Sequence, residues 1–192
     1  MLFEGLKIGF ALTGSFCTLG KVLPEIEKIV KEGAEVFPII SESVDKFDTR
    51  FGKAEEWKNK LNTITGNTII STIVEAEPIG PKSYLDLLVV APCTGNTISK
   101  IANAITDTSV TMACKAYLRN QKPLVIAIST NDGMGMNAKN IGLIANMKNV
   151  YIVPFEQDDP YKKPNSLMSK PELIIETMVD ALKGVQTQPL LL

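Results

Sequence analysis

Ala91-Pro92-Cys93-Thr94-Gly95-Asn96-Thr97 is the stretch of this chain whose residue types and spacing best suit chemistry. It follows an apolar run, Leu85-Asp86-Leu87-Leu88-Val89-Val90, and precedes a helix-like segment, Ile98-Ser99-Lys100-Ile101-Ala102-Asn103. A buried strand that ends in a tight polar turn and opens a helix presents backbone N–H groups with no intrahelical partner. Beside short hydroxyl and amide side chains, such a helix start binds anions. Three other turns share its character: Thr13-Gly14-Ser15, Ser41-Glu42-Ser43 and Thr130-Asn131-Asp132-Gly133. None of the four contains Lys or Arg. The set reads either as ordinary turn chemistry or as an uncharged phosphate cradle of N–H and hydroxyl donors.

The chain contains no histidine, which removes Ser-His-Asp and Cys-His catalysis and most catalytic zinc sites. Two common phosphate motifs are also absent. No G-x-G-x-x-G follows the first strand, and in Gly14…Gly20-Lys21 the gap is five residues and Val22 stands where a P-loop needs Ser or Thr. A mononucleotide with one phosphate, such as FMN, suits hydroxyl and N–H donors better than a magnesium nucleotide does. The Met-rich run Asn131-Asp132-Gly133-Met134-Gly135-Met136-Asn137 reads as a gap-filling loop or as a lid over a planar ring, hinged at Gly133 and Gly135. Cys17 and Cys93 lie beside anion-type turns but read as structural thiols. Asp107 or Thr108 is placed to cap the next helix. Lys100, Lys115, Arg119 and Lys139 are the candidate cations for an anionic substrate, each read rather as a surface residue. Asp132 and Tyr117 are the candidates for a general acid.

The elements that position these turns alternate. Strands are expected at Leu6–Leu12, Ala34–Ile40, Leu85–Ala91, Pro123–Ser129 and Val150–Val153. Helices are expected at Cys17–Glu32, Ala54–Thr63, Thr97–Ala104, Ser109–Asn120, Met136–Asn146 and Pro171–Leu182. In the first of these Pro24 suggests a start delayed towards Gly20. Thr68–Glu77 is ambiguous, its β-branched residues favouring a strand. Residues 154–170 read as a loop or arm, and 184–192 as a weakly held tail. Near-continuous apolar strands between helices imply a mainly parallel sheet covered on both faces, an α/β/α sandwich with its ligand site at the carboxyl ends of the strands.

The 192 residues suit one domain. A net charge of −1, with scattered basic residues, argues against nucleic-acid binding. Three separated cysteines with no C-x-x-C support neither a disulfide framework nor a zinc site, and fit reduced thiols in a cytoplasmic protein. The N-terminus lacks signal-peptide features, and no apolar run approaches the ~20 residues of a membrane span. No metal site is expected.

The run Ala91–Asp107 resembles the P-x-S-A-N-T-x-x-K-x-A-x-G-I-x-D signature of the flavoprotein family. That family includes phosphopantothenoylcysteine decarboxylases, lantibiotic cysteine decarboxylases and flavin prenyltransferases. The Ala-Pro-Cys opening and Lys122-Pro123-Leu124-Val125 look most like the prenyltransferases; Asn96-Thr97 looks like the decarboxylases. The decarboxylases' catalytic histidine has no counterpart, and their P-A-M-N motif is here Ser129–Asn137. Over its whole length, including Val153–Asp158 and Lys162–Ser166, the chain is similar to the B subunits of dipicolinate synthases.

The resemblance implies a three-layer Rossmann-like flavoprotein fold and FMN. By matching position, Thr13, Gly14, Ser15 and Ser41 would contact the flavin phosphate, with Ser43 a weaker candidate. Cys93, Thr94 and Thr97 would contact flavin, and Gly95 replaces the usual Ala. Asn96 would hold a substrate carboxylate as the catalytic residue, and Met134, Met136 and Asn137 would cover the substrate. The implied reaction is aromatisation of a dihydro- or hydroxytetrahydrodipicolinate to dipicolinate in sporulation. It would involve a dehydrogenase-like A subunit that brings a nicotinamide cofactor such as NADP, and a homo-oligomer. Two alternatives stand beside it. One is transfer of a prenyl group onto FMN, or a decarboxylase-like activity, the former needing a second phosphate site near Arg119. The other is a partner subunit that keeps the fold without the cofactor.

Overall fold

A computed structural model describes residues 1–192. One seven-stranded sheet organises them. Its parallel strands are β1 (Lys7–Leu12), β2 (Glu35–Ile40), β3 (Leu87–Cys93), β4 (Leu124–Thr130) and β5 (Val150–Ile152); β6 (Phe155–Asp159) and β7 (Lys163–Ser169) are antiparallel. The order is β2-β1-β3-β4-β7-β6. β4 has two neighbours on its outer side: β5 along Leu124–Ile126, and β7 at Ser129 and Thr130.

The central strands are apolar on both faces, so alternate residues serve two cores. Phe10, Leu12, Val89, Val125 and Ala127 pack under α1 (Phe16–Lys31), α3 (Ala54–Thr65) and α9 (Ile174–Leu182). Ala11, Leu88, Val90, Ile126 and Ile128 pack under α6 (Gly95–Ala102), α7 (Ser109–Leu118) and α8 (Ala138–Ala145). Three short helices complete the set: α2 (Glu42–Lys46), which begins at the Ser41 turn, α4 (Ile73–Ala76) and α5 (Ile79–Lys82).

Four local expectations change. Thr68–Glu77 makes only a bridge at Ile70 to Ile39, and its second half is α4. The cause is a capping box: the Thr72 hydroxyl accepts from Glu75 N–H, and the Glu75 carboxylate accepts from Thr72 and Ser71 N–H at 3.0 and 2.8 Å. Satisfying these helix-start donors outweighs β propensity. Residues 154–170 are a β-hairpin rather than a loop, closed by Asp159 Oδ1 accepting from Tyr161 and Lys162 N–H. The tail is held: Leu190 O and Leu192 N–H bond Phe155, and Gln186 bonds both backbone groups of Ile152. Finally, α1 starts at Phe16 and carries Pro24 in its interior.

Candidate functional site

Elements that end at the carboxyl edge of the sheet enclose a cavity of about 930 Å³. That volume lies within the range of small-molecule sites, about 300–1,000 Å³. Gly14 and Ser15 after β1, Thr94, Gly95 and Asn96 after β3, and Thr130–Asp132 at the end of β4 all line it. So do Asn137 and, from the β6–β7 hairpin, Asp158, Lys163 and Ser166.

One wall is a hydroxyl cluster. Ser15 Oγ lies 2.8 Å from Ser129 Oγ and 3.1 Å from Thr18 Oγ1, and the last two are 3.0 Å apart. Each hydroxyl can donate to its neighbour or rotate its proton towards a ligand. The N–H groups of Phe16, Cys17, Gly95 and Asn96 open α1 and α6, so none has an intrahelical partner. Two helix N-termini and three hydroxyls converge on one space, without a fixed cation between them. This donor set has the chemistry of a phosphate cradle.

Other expected site residues shape that wall from behind. Thr13 Oγ1 donates to Pro92 O at 2.7 Å and accepts from Thr94 N–H at 2.9 Å, latching the β1 turn to the β3 turn. Thr94 caps α6 by accepting from Thr97 N–H at 3.4 Å, with the Thr97 hydroxyl 3.2 Å away. Ser43 stands where a Cβ at Gly14 would meet it at 3.0 Å. Ser41 Oγ is buried with no hydrogen-bond partner in the chain. Cys93 is buried in the second core and does not line the cavity. Burial first, and then Cys114, pushes its thiol well above the usual range.

Charged side chains also line the cavity. Lys21 lies one turn beyond Thr18 on α1, and Lys163 sits on β7 with its Nζ 2.6 Å from Asp158 Oδ2. At the rim Phe51 is stacked under Arg50 at 4.9 Å. Asp132 is held by Met136 N–H and by Asn137 Nδ2, both at 3.1 Å. Asn137 Oδ1 then accepts from Asn140, whose own oxygen accepts from Asn103.

The Met-rich loop is pinned. Gly133 has no room for a side chain because its Cβ would meet Leu167 at 2.6 Å, and Met134 N–H donates to Asn165 O. Gly135 presses on Asp132 in the same way. These glycines allow close approach, not hinging, and neither has a positive φ. Met134 and Met136 are 56% and 73% exposed and do not line the cavity. Tyr117 lies in the second core, and Arg119 follows α7 at the opposite edge of the sheet, so neither reaches the cavity. Lys100 is paired with Asp107 at 2.8 Å, and Thr108 rather than Asp107 caps α7.

Sequence reasoning missed Thr18, Lys21, Ser129, Asp158, Lys163 and Ser166. For Thr18 and Lys21 the signal was their helical spacing from Ser15. For Ser129 it was its place at the strand end. The last three were hidden in the segment read as an arm.

A protein-family model described as "Flavoprotein" matches residues 3–183. The chain belongs to the flavoprotein family. It is 50% identical over 188 residues to the B subunit of dipicolinate synthase from Bacillus subtilis (strain 168), which covers 98% of the chain and 94% of that protein. The crystal structure of the dipicolinate synthase B subunit from Bacillus halodurans C matches with a TM-score of 0.92 and 50% identity, over 100% of this chain and 98% of that one. The bifunctional coenzyme A biosynthesis protein CoaBC of Thermococcus kodakarensis is 30% identical over 68% of the chain, which is 31% of that longer protein. The cysteine decarboxylase SpaF, described as FMN-dependent, shares the fold at a TM-score of 0.68 and 15% identity. Within the family, then, the chain groups with the dipicolinate synthase B subunits, which are enzyme subunits and imply an A subunit. No helix is long and apolar enough to cross a membrane, and no group of three or more Cys, Asp or Glu is gathered to hold a metal.

Proposed function

We propose that the chain is the B subunit of a dipicolinate synthase, which aromatises a dihydro- or hydroxytetrahydrodipicolinate by loss of hydrogen or water. The observation that carries this reading is 50% identity along 98% of the chain to the Bacillus subtilis protein. The carboxyl-edge cavity gives that likeness a place to act.

The donor set fits FMN. Gly14, Ser15, Thr18, Ser129 and the start of α1 would take its phosphate, with Ser41 in support; Thr94 and Gly95 would border the rest. When bound, the flavin supplies two-electron chemistry to the site. Asn96, exposed at the α6 N-terminus, binds a substrate carboxylate. Asn137 steadies Asp132, and Asp132 accepts the proton that leaves the ring carbon on aromatisation. Thr13, Ser43, Cys93 and Thr97 hold the cradle's shape. Exposed Met134 and Met136 belong to a contact with a second chain, either another copy or a dehydrogenase-like A subunit carrying NADP.

Two measurements test this reading. The first is fluorescence titration of FMN with the purified chain, where saturable quenching that bulky replacements at Ser15 and Ser41 abolish is expected. The second is ultraviolet detection of the pyridine ring in a reconstituted mixture with the A subunit. Dipicolinate should form faster with both chains than with either alone. A mixture no faster than the dehydrogenase-like chain on its own would refute the assignment.

A further inference from the structure

We infer that Lys21 and Lys163 form a carboxylate subsite on the hairpin side of the cavity, at which the second carboxylate of a dicarboxylate substrate replaces Asp158. This inference rests on the dipicolinate reading above and deepens it.

A pyridine dicarboxylate or its reduced precursor carries two negative charges at neutral pH, held apart on opposite sides of a ring nitrogen. One carboxylate can be met by Asn96 and the α6 N-terminus. The other needs a partner across the cavity. Only two cationic side chains line that cavity, Lys21 and Lys163. Lys21 is four residues beyond Cys17 on α1, so the two share a helix face. Lys163 borders the same cavity from β7, as Cys17 and Lys21 do from α1. Both lysines therefore line the one cavity, Lys21 from α1 and Lys163 from the hairpin.

Their partners differ. Lys21 takes part in no ion pair, while Lys163 is paired with Asp158 at 2.6 Å. That pair is exposed at the lysine end, 57% against 25% for the aspartate, so a carboxylate entering from solvent meets Lys163 first. Water and salt screen an exposed pair of this kind, and it holds weakly. A ligand whose other end is already bound can displace Asp158, because its second contact forms at high effective concentration. Asp158 thus presents Lys163 to the cavity and yields it. The two lysines balance Asp158 and Asp132, the other charged residues lining the cavity, so displacing Asp158 from Lys163 leaves one positive charge for the incoming carboxylate. The phosphate cradle of the Ser15 wall is neutral, so the two anion sites differ in chemistry.

The test uses direct binding, followed by calorimetry, of pyridine-2,6-dicarboxylate and pyridine-2-carboxylate to the full chain mixed with its A subunit. The dicarboxylate should bind more tightly than the monocarboxylate. Lys163→Met and Lys21→Met should each weaken the dicarboxylate about three- to tenfold and leave the monocarboxylate and FMN unchanged. Asp158→Asn should strengthen the dicarboxylate, an effect that a merely structural ion pair would not produce. Equal loss for both pyridine acids, or no loss at all, overturns the subsite while leaving the dipicolinate reading in place. Weakened FMN binding in Lys21→Met assigns that lysine to the flavin phosphate and overturns its part here. Failure of the unaltered mixture to bind the dicarboxylate overturns the parent reading, and this subsite with it.

Discussion

Gly95→Ala offers a sharp test of how the cavity wall is assembled. A Cβ at Gly95 would lie 2.5 Å from Thr130 Oγ1 and 2.7 Å from Asn137 Nδ2. Asn137 ends in a flexible amide, but Asp132 Oδ2 holds it at 3.1 Å. Thr130 is β-branched and stiff. It pairs with Leu167 at the end of β4, and its Oγ1 accepts from Asp132 N–H at 3.2 Å. Overpacking of this kind costs about 1–3 kcal/mol. Gly95 has no positive φ, so Ala also restricts the unfolded chain and recovers about 0.4–1 kcal/mol. The net loss is about 1–2 kcal/mol, which for a chain of this size lowers Tm by roughly 2–8 °C. Scanning calorimetry of the single variant reads it. Thr130→Ala removes the hydroxyl in the way, so Gly95→Ala should cost about 1 kcal/mol less in that background. A Gly95→Ala protein that melts at or above the unaltered chain would refute the reasoning. So would a cost that is the same with and without Thr130.

Asn96→Ala should slow dipicolinate formation by about tenfold or more while FMN quenching stays intact; equal loss of both would remove Asn96 from the substrate. Thr13→Val strands the Thr94 N–H, while the Pro92 carbonyl keeps the residue-13 N–H at 3.2 Å, and should cost about 1–3 kcal/mol in a urea melt. A midpoint that does not move would show that the latch is dispensable. A thiol reagent on the native chain should titrate one cysteine quickly, exposed Cys17, with Cys93 and Cys114 reacting only on unfolding. Burial pushes the Cys114 thiol up to about 12, so it stays protonated when folded but ionises in the unfolded chain. Its contribution is therefore complete below the ordinary thiol pKa and declines as pH rises from there towards about 12. Cys114→Ala should flatten that alkaline decline in a pH series of melts, and an unchanged slope would count against it.

The layered α/β architecture and the edge where ligands would collect were both legible in the order of the residues. Apolar strands without alternation must be covered on both faces, and polar Gly-containing turns must follow them. Those two facts are enough to put Thr13–Ser15, Thr94–Thr97 and Thr130–Asp132 on one edge. Which of these side chains face the cavity was settled only by packing in three dimensions. Thr13 turns inward to bond the backbone groups of Pro92 and Thr94, and Thr97 to meet the Thr94 hydroxyl, while Ser129, a strand residue by pattern, turns into the cradle. The charged wall was hidden for a similar reason. Residues 154–170 are too polar to announce a strand, and they form one because β4 outruns β5 and leaves Ser129 and Thr130 open for β7. A pairing between residues this far apart in sequence leaves no local trace, and it carries Asp158 and Lys163 to the site.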